Sequence, residues 1–434
     1  MQVTRGMRRQ SIKLARRRER LPADALVAGV DLAKKESVVV FVRASDRARV
    51  GRLRVTTDRA GTERLIARGR ELALEHGGGP LVIAMEPTSH FWKPIARAAE
   101  TAGVDYVLVQ GFVVATGREL DDLTRDKTDA RDAVLIADLA VELRFTETRL
   151  PEGPWAELDL LADARDARRV ERVACLQEMR ALLELAWPQL LAACPDLAGS
   201  HLQALLRTGL TPGQASALSI RRFTSRLRRH HHGRFLPWMA GRLHVAARAV
   251  PVLPETTAAA LRWRMAAERV ALADAAIADL DRRLVGLLEV TGYGWLRGQI
   301  RGLGDPTLAA LLALTGDPAR FDDARCLVKL AGSNPTERSS GERQASGGIH
   351  RRGRPGLRYV AYQAAVNLVR HKPEFRRRYL ELTDRERKNR LEPKQAYVAL
   401  ANKLLRTIWS MAVNGQGYQP AIARGEVRPT RLAA

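Results

Sequence analysis

Cysteine is scarce. The 434 residues contain only Cys175, Cys194 and Cys326, with no CxxC and no paired spacing. That argues against a disulfide framework or a zinc ribbon and fits a reducing cytoplasm. Long apolar runs are missing as well. No stretch of about 18 apolar residues occurs, and the basic N-terminus lacks the apolar core of a signal peptide, so neither secretion nor membrane insertion is expected. Acid is in short supply: 48 Asp and Glu face 72 Lys and Arg, a formal charge of +24. Such an excess favours a polyanionic partner, for which DNA and RNA are the usual candidates.

The basic residues are clustered. Arg5, Arg8, Arg9, Lys13, Arg16, Arg17, Arg18 and Arg20 stand against the single Glu19. The run reads as a mobile arm over residues 1–25 that gains affinity by releasing counterions from phosphates. His230, His231 and His232 sit among Arg221, Arg222, Arg226, Arg228, Arg229 and Arg234, which suggests an exposed nucleic-acid or solvent-facing loop rather than a metal site.

With 46% hydrophobic residues the chain can build two or three domains with real cores. From 26 to 150 the pattern is α/β. Leu26–Leu32, Ser37–Val42 and Gly51–Val55 read as an antiparallel meander, and a helix follows from Asp58 to about His76. The short apolar run Leu81–Met85 has the look of a strand buried on both faces. A helix at Phe91–Ala102, a strand at Tyr106–Val109 and a helix over 129–143 complete an RNase H-like order of elements. From 151 to 295 the strand signals vanish. Residues 155–187 and 255–290 read as long helices, with Leu176, Met179, Leu183, Ala186 and Leu190 at heptad spacing. A coiled-coil pair is expected there, interrupted by an irregular basic insert at Pro188–Phe235. Arg169 and Arg172 break the heptad upstream, so an ordinary helical bundle is the competing reading. Residues 296–415 suggest a compact helical domain: helices at Leu308–Thr315, Cys326–Ala331 and Gly356–Arg370, around a Gly/Ser/Arg loop at 332–356. A patternless tail, 416–434, completes the chain.

Four acids occupy suggestive places. Asp31 ends the first strand and Glu86 follows the buried one, where parallel strands gather functional groups at a sheet's rim. Asp129 and Asp132 are three apart and share a helix face. Singly, each could be a turn or cap residue. Converging, they would need cations, and hard oxygen ligands suit Mg²⁺, with Mn²⁺ as a substitute. Two such ions would organise phosphoryl chemistry.

The segment Gly332-Ser333-Asn334-Pro335-Thr336-Glu337-Arg338-Ser339-Ser340-Gly341 frames a serine with glycines, facing Arg351, Arg352, Arg354 and Arg358. Those guanidinium groups could clamp a phosphodiester, and a serine there could attack it. By composition alone, such a loop is a flexible phosphate-binding loop.

Gly29-Val30-Asp31, Met85-Glu86-Pro87-Thr88 and Lys127-Thr128-Asp129-Ala130-Arg131-Asp132-Ala133 together resemble a known family. So do Gly302-Leu303-Gly304, Gly316-Asp317 with Phe321, Leu330-Ala331-Gly332 with Pro335, Ser340-Gly341, and Arg352-Gly353 with Leu357-Arg358. The family is the DEDD-type, RuvC-like insertion-sequence transposases with an added catalytic serine, relatives of the Piv DNA invertases and described as bridge-RNA-guided recombinases. The resemblance covers about 26–143 and 296–370. It implies that Asp31, Glu86, Asp129 and Asp132 bind Mg²⁺ and that Ser340 forms a phosphoserine–DNA intermediate. It also implies donor and target DNA, a noncoding bridge RNA and a homo-oligomer as partners. In such an oligomer the metal site of one subunit meets the serine of another, the central helices resemble the dimerising coiled coil, and the location is the nucleoid. Lys127 and the arginines at 16–18, 351, 352, 354 and 358 become nucleic-acid contacts. Residues 1–25 extend upstream of the family's usual start, Arg354 stands where Asn is commoner, and Ser339 adjoins the expected nucleophile. Two other readings compete: a RuvC-like nuclease or junction resolvase in which water attacks, and a non-catalytic nucleic-acid scaffold.

Overall fold

A computed structural model describes residues 5–77, 79–121, 128–231, 233–248, 253–340 and 343–421. The chain divides into two compact units, Met1–Leu150 and Pro151–Ala434. Among the described residues no helix is long and apolar enough to cross a membrane.

The basic run expected as a mobile arm is a helix, α1 (Arg5–Arg20). Arg17 lies over the Phe145 ring and donates to the Leu143 carbonyl, and Arg20 reaches Asp105 at 2.6 Å. Arginine has good helix propensity, and these two partners fix the register of α1 on the unit.

Three strands follow: β1 (Leu26–Asp31), β2 (Glu36–Arg43) and β3 (Arg49–Thr56). They pair antiparallel, as the short polar connections between them favour. Helix α2 (Arg59–Glu75) starts at Asp58, whose carboxylate accepts from the Gly61 backbone N–H. Then come β4 (Leu81–Met85), α3 (Trp92–Thr101), β5 (Asp105–Leu108), α4 (Gly111–Asp121) and α5 (Asp129–Val141). The sheet order is β3-β2-β1-β4-β5, with β1, β4 and β5 parallel. Alternation along β1 places Leu26, Ala28 and Val30 in one core with α2 and α3, and Val27 in the other with α5. A mixed sheet flanked by helices is consistent with the RNase H-like expectation. Helix α4 was not anticipated. Its apolar start, Gly111-Phe112-Val113-Val114, continues the composition of β5 and has no period of its own in the sequence.

The second unit opens with α6 (Pro154–Ala186). Its insert is folded, which corrects the irregular segment expected there: α7 (Pro188–Ala193), α8 (Ser200–Arg207), α9 (Pro212–Ala217), α10 (Ile220–His230) and α11 (Pro237–Ala246). These helices share a core with Met179, Leu183 and Trp263. The long α12 (Thr256–Val290) returns alongside α6. Ion pairs Arg165–Asp281, Arg172–Asp274 and Arg262–Glu178 show the two running antiparallel, because one number rises as the other falls. The heptad does not continue past Ala186: a break at Trp187 and Pro188 places Leu190 on α7. Upstream, Arg172 joins the ion-pair ladder and Arg169 lies 3.8 Å over the Tyr359 ring, which explains the lost apolar repeat.

The remaining elements are α13 (Asp305–Thr315), α14 (Arg325–Ala331), β6 (Pro335–Ser340), β7 (Arg343–Ile349), α15 (Pro355–His371), α16 (Pro373–Thr383) and α17 (Pro393–Asn414). α13, α15 and α17 bury a second core with Leu158 and Leu288. The loop expected over 332–356 is thus largely an antiparallel hairpin.

Candidate active site

Asp31 and Glu86 come together by strand pairing. Val30 faces Met85 in the parallel β1–β4 register, so the next residues, Asp31 and Glu86, stand side by side where both strands end. Both are half-buried. Glu86 is set against the start of α4, since a Cβ on Gly111 would fall 2.6 Å from its Oε1. A helix N-terminus favours a carboxylate there.

Helix α5, which carries the other two acids, packs on β1. Gly29, two residues before Asp31, is covered so closely that a Cβ would lie 2.1 Å from the Ala133 carbonyl oxygen. Ala133 is the neighbour of Asp132. Thr128 caps α5 by accepting from the Arg131 backbone N–H, so Asp129 is not needed for that task. Asp129 is exposed, whereas Asp132 is 4% exposed. Its Oδ1 accepts from Arg118 Nε at 2.9 Å and Nη2 at 2.8 Å. Sequence reasoning missed Arg118, which lies on the helix it also missed.

Among the described residues no three His, Cys, Asp or Glu side chains lie close enough to hold a metal ion. The donor set nevertheless fits a hard divalent cation in its chemistry: carboxylates only, two of them adjacent on a strand rim. Arg118 supplies the positive charge that the buried Asp132 carboxylate needs. Lys127 lies outside the described residues.

Ser339 and Ser340 are the last residues of β6, in register with Gln344 and Arg343. The base of this hairpin is built by glycines and by two of the arginines expected to bind phosphate. Gly332 ends α14 at φ 63°, and a Cβ on Gly353 would lie 2.4 Å from both Gly332 N and Leu330 O. Arg354 donates to Asp159 at 2.7 Å and to the Leu314 carbonyl at 3.0 Å, while Arg358 donates to the Ala331 carbonyl at 2.8 Å. These two guanidinium groups tie the chain just beyond the hairpin to α6, α13 and α14. Arg351 and Arg352 are exposed. A buried pair unseen in the sequence also holds the hairpin's entry: Ser333 Oγ donates to Asn402, whose Nδ2 donates back to the Ser333 carbonyl at 3.0 Å.

At the N-terminus, burial lowers the Arg17 guanidinium pKa while Glu147 opposes the shift. Its contacts with Leu143 and Phe145 make it a packing residue, whereas Arg16 and Arg18 are exposed.

The chain is similar to known proteins along both units. Residues 28–188 match the DEDD_Tnp_IS110 model, described as a transposase, and residues 298–380 match the model described as the transposase IS116/IS110/IS902 family. A 42 kDa protein of insertion element IS900 from Mycobacterium paratuberculosis is 28% identical, over 92% of this chain and 98% of its own length. A 44.8 kDa protein of insertion element IS116 from Streptomyces clavuligerus is 29% identical, over 72% of this chain and 79% of its own. The mini-circle putative transposase for IS117 from Streptomyces coelicolor is 27% identical, over 74% and 78% respectively.

Proposed function

We propose, from the premise that the chain is an IS110/IS116/IS902-family transposase, that it cuts and rejoins DNA strands through the acids of its first unit and a serine of its second. The observation that carries this reading is the pairing of Asp31 with Glu86 at the parallel β1–β4 rim, on a strand that α5 covers at Gly29. Asp31, Glu86, Asp129 and Asp132 would hold a divalent cation, Mg²⁺ or Mn²⁺. When bound, it supplies charge stabilisation at phosphate oxygens. Asp132, bonded to Arg118, would complete that set once released from the guanidinium.

Ser340 is the proposed nucleophile. Its hydroxyl oxygen attacks phosphorus, its proton passes to solvent, and one strand leaves with a protonated hydroxyl while a phosphoserine ester forms. Attack by a strand hydroxyl on that ester rejoins DNA and releases the serine, so bond energy is conserved without a nucleotide cofactor. Arg351 and Arg352, both exposed, would receive the phosphodiester backbone near the foot of the hairpin. The reading also includes a structured noncoding RNA that pairs with donor and target DNA. The basic excess of the chain supports it, and sequencing the nucleic acid that copurifies with the protein tests it.

The decisive experiment traps the protein on nicked or duplex element-end DNA under denaturing conditions. Ser340→Ala is expected to abolish the covalent adduct, and Ser339→Ala to retain it. An adduct that survives Ser340→Ala and is lost in Ser339→Ala moves the role by one residue. An adduct lost in neither variant overturns the serine mechanism, and cleavage without any adduct in the unaltered protein favours attack by water.

A further inference from the structure

The insert between α6 and α12 lies outside both matched segments, which end at 188 and resume at 298. Its composition is extreme. Residues 188–248 contain Arg207, Arg221, Arg222, Arg226, Arg228, Arg229, Arg234, Arg242 and Arg248, no lysine, and Asp196 as the sole acid. A segment of that charge would stay unfolded unless it could bury a core, and this one does. Phe223 and Leu227 of α10 are fully buried beside Leu205, Leu243 and Trp263.

Burial fixes which way α10 faces. At 3.6 residues per turn, its five arginines occupy an arc of about 160° turned away from Phe223 and Leu227. All five are exposed. Among the described residues none has a carboxylate partner; Arg228 alone is engaged, over the Phe235 ring at 5.0 Å. The contrast with α12 is sharp. There the exposed Arg262, Arg282 and Arg283 are each paired with an acid.

The ends of α10 are also held. Ser219 caps its start by accepting from the Arg222 backbone N–H. At its close, Arg207 donates to the His230 carbonyl. His201 Nε2 then accepts the Leu236 backbone N–H at 2.8 Å, so the proton of its neutral ring sits on Nδ1, 3.3 Å from His231 Nε2. A rigid cationic helix with no internal neutralisation is suited to an external polyanion.

We infer that the exposed arginine face of α10 is a docking surface for the phosphate backbone of double-stranded DNA. The choice of DNA rests on the strand-transfer reading above. The choice of duplex rests on the face itself. It offers no exposed aromatic ring on which single-stranded bases could stack. A helix of ordinary width also enters a B-form major groove, whereas the A-form groove of an RNA duplex is too deep and narrow. Arg222, Arg226 and Arg229 climb about 10 Å along the helix, enough to meet about three successive phosphates.

The test measures binding of the full chain to a random duplex of about 30 base pairs by fluorescence anisotropy across a salt series. The triple variant Arg222→Gln, Arg226→Gln, Arg229→Gln is expected to lower the slope of log affinity against log salt by about 2 to 3. The triple lysine variant should restore it, because phosphate contact needs charge rather than a particular head group. The α12 triple Arg262→Gln, Arg282→Gln, Arg283→Gln should leave the slope unchanged. An unaltered slope in the α10 glutamine variant overturns the inference, as does an equal loss in the lysine variant, which would mean a structural role. A loss confined to an RNA duplex of the same length also overturns it. Failure of the strand-transfer reading would show elsewhere, in an unaltered protein that binds duplex DNA with its full salt slope but neither cuts it nor forms an adduct with it.

Discussion

Arg118 directs two nitrogens at one oxygen of Asp132, a carboxylate that is 4% exposed. Removing one member of a buried ion pair leaves the other charge uncompensated, at a cost of about 3 kcal/mol. Arg118→Gln is therefore expected to lower the melting temperature in the absence of divalent cations. Because a cation bound at Asp132 would replace the lost charge, Mg²⁺ or Mn²⁺ should recover part of that stability. Calorimetry with and without metal checks this, and a variant indifferent to both ions would remove Asp132 from the proposed ligand set. All four acids were visible at this scale because each sits beside a strong local signal: a strand end for Asp31 and Glu86, a helix start for Asp129 and Asp132. Arg118 was not visible, since its meaning comes from a partner fourteen positions away on another helix. The expected phosphate clamp divided for a similar reason. Arg354 and Arg358 have buried acceptors in Asp159, Leu314 and Ala331, and no local pattern announces such partners.

Helix α5 approaches β1 at a point where only glycine fits. Substituting Gly29 would place a Cβ 2.1 Å from the Ala133 carbonyl oxygen and 2.8 Å from the Ala137 Cβ. Backbone cannot yield as a side chain does, so Gly29→Ala is expected to destabilise the first unit by about 3 kcal/mol or more. It should also push the first turn of α5 away from Asp31. Urea unfolding of the variant measures the first effect, and a wild-type midpoint would refute the close approach. The long elements were legible because period and length agree over many residues, as in β1 to β3, α6 and α12. The hairpin β6–β7 was not, because serine, glycine and arginine carry no alternation. Its strands are held by cross-strand pairing and by the Gly332–Gly353 contact at their foot. The helical insert was hidden by its arginines, which mask two buried anchors, Phe223 and Leu227, in a surface of charge.

The whole chain holds two units, each with cores of its own, and the proposed chemistry draws on both: Asp31 falls in Met1–Leu150 and Ser340 in Pro151–Ala434. A segment that buries two faces of a five-stranded sheet has the means to fold alone. Residues 1–150 expressed by themselves are accordingly expected to melt cooperatively, with a midpoint near that of a transition in the intact chain. A non-cooperative melt would contradict the division. Charge, the five strands of the first unit and the two long helices were determined by the sequence itself, since composition and hydrophobic period are local properties that survive without any tertiary contact. Tertiary structure alone decided which arginines are spent on carbonyls and carboxylates inside the protein and which face outward. That distinction separates Arg354 and Arg358 from Arg222, Arg226 and Arg229, and it depends on burial, which no single stretch of chain encodes.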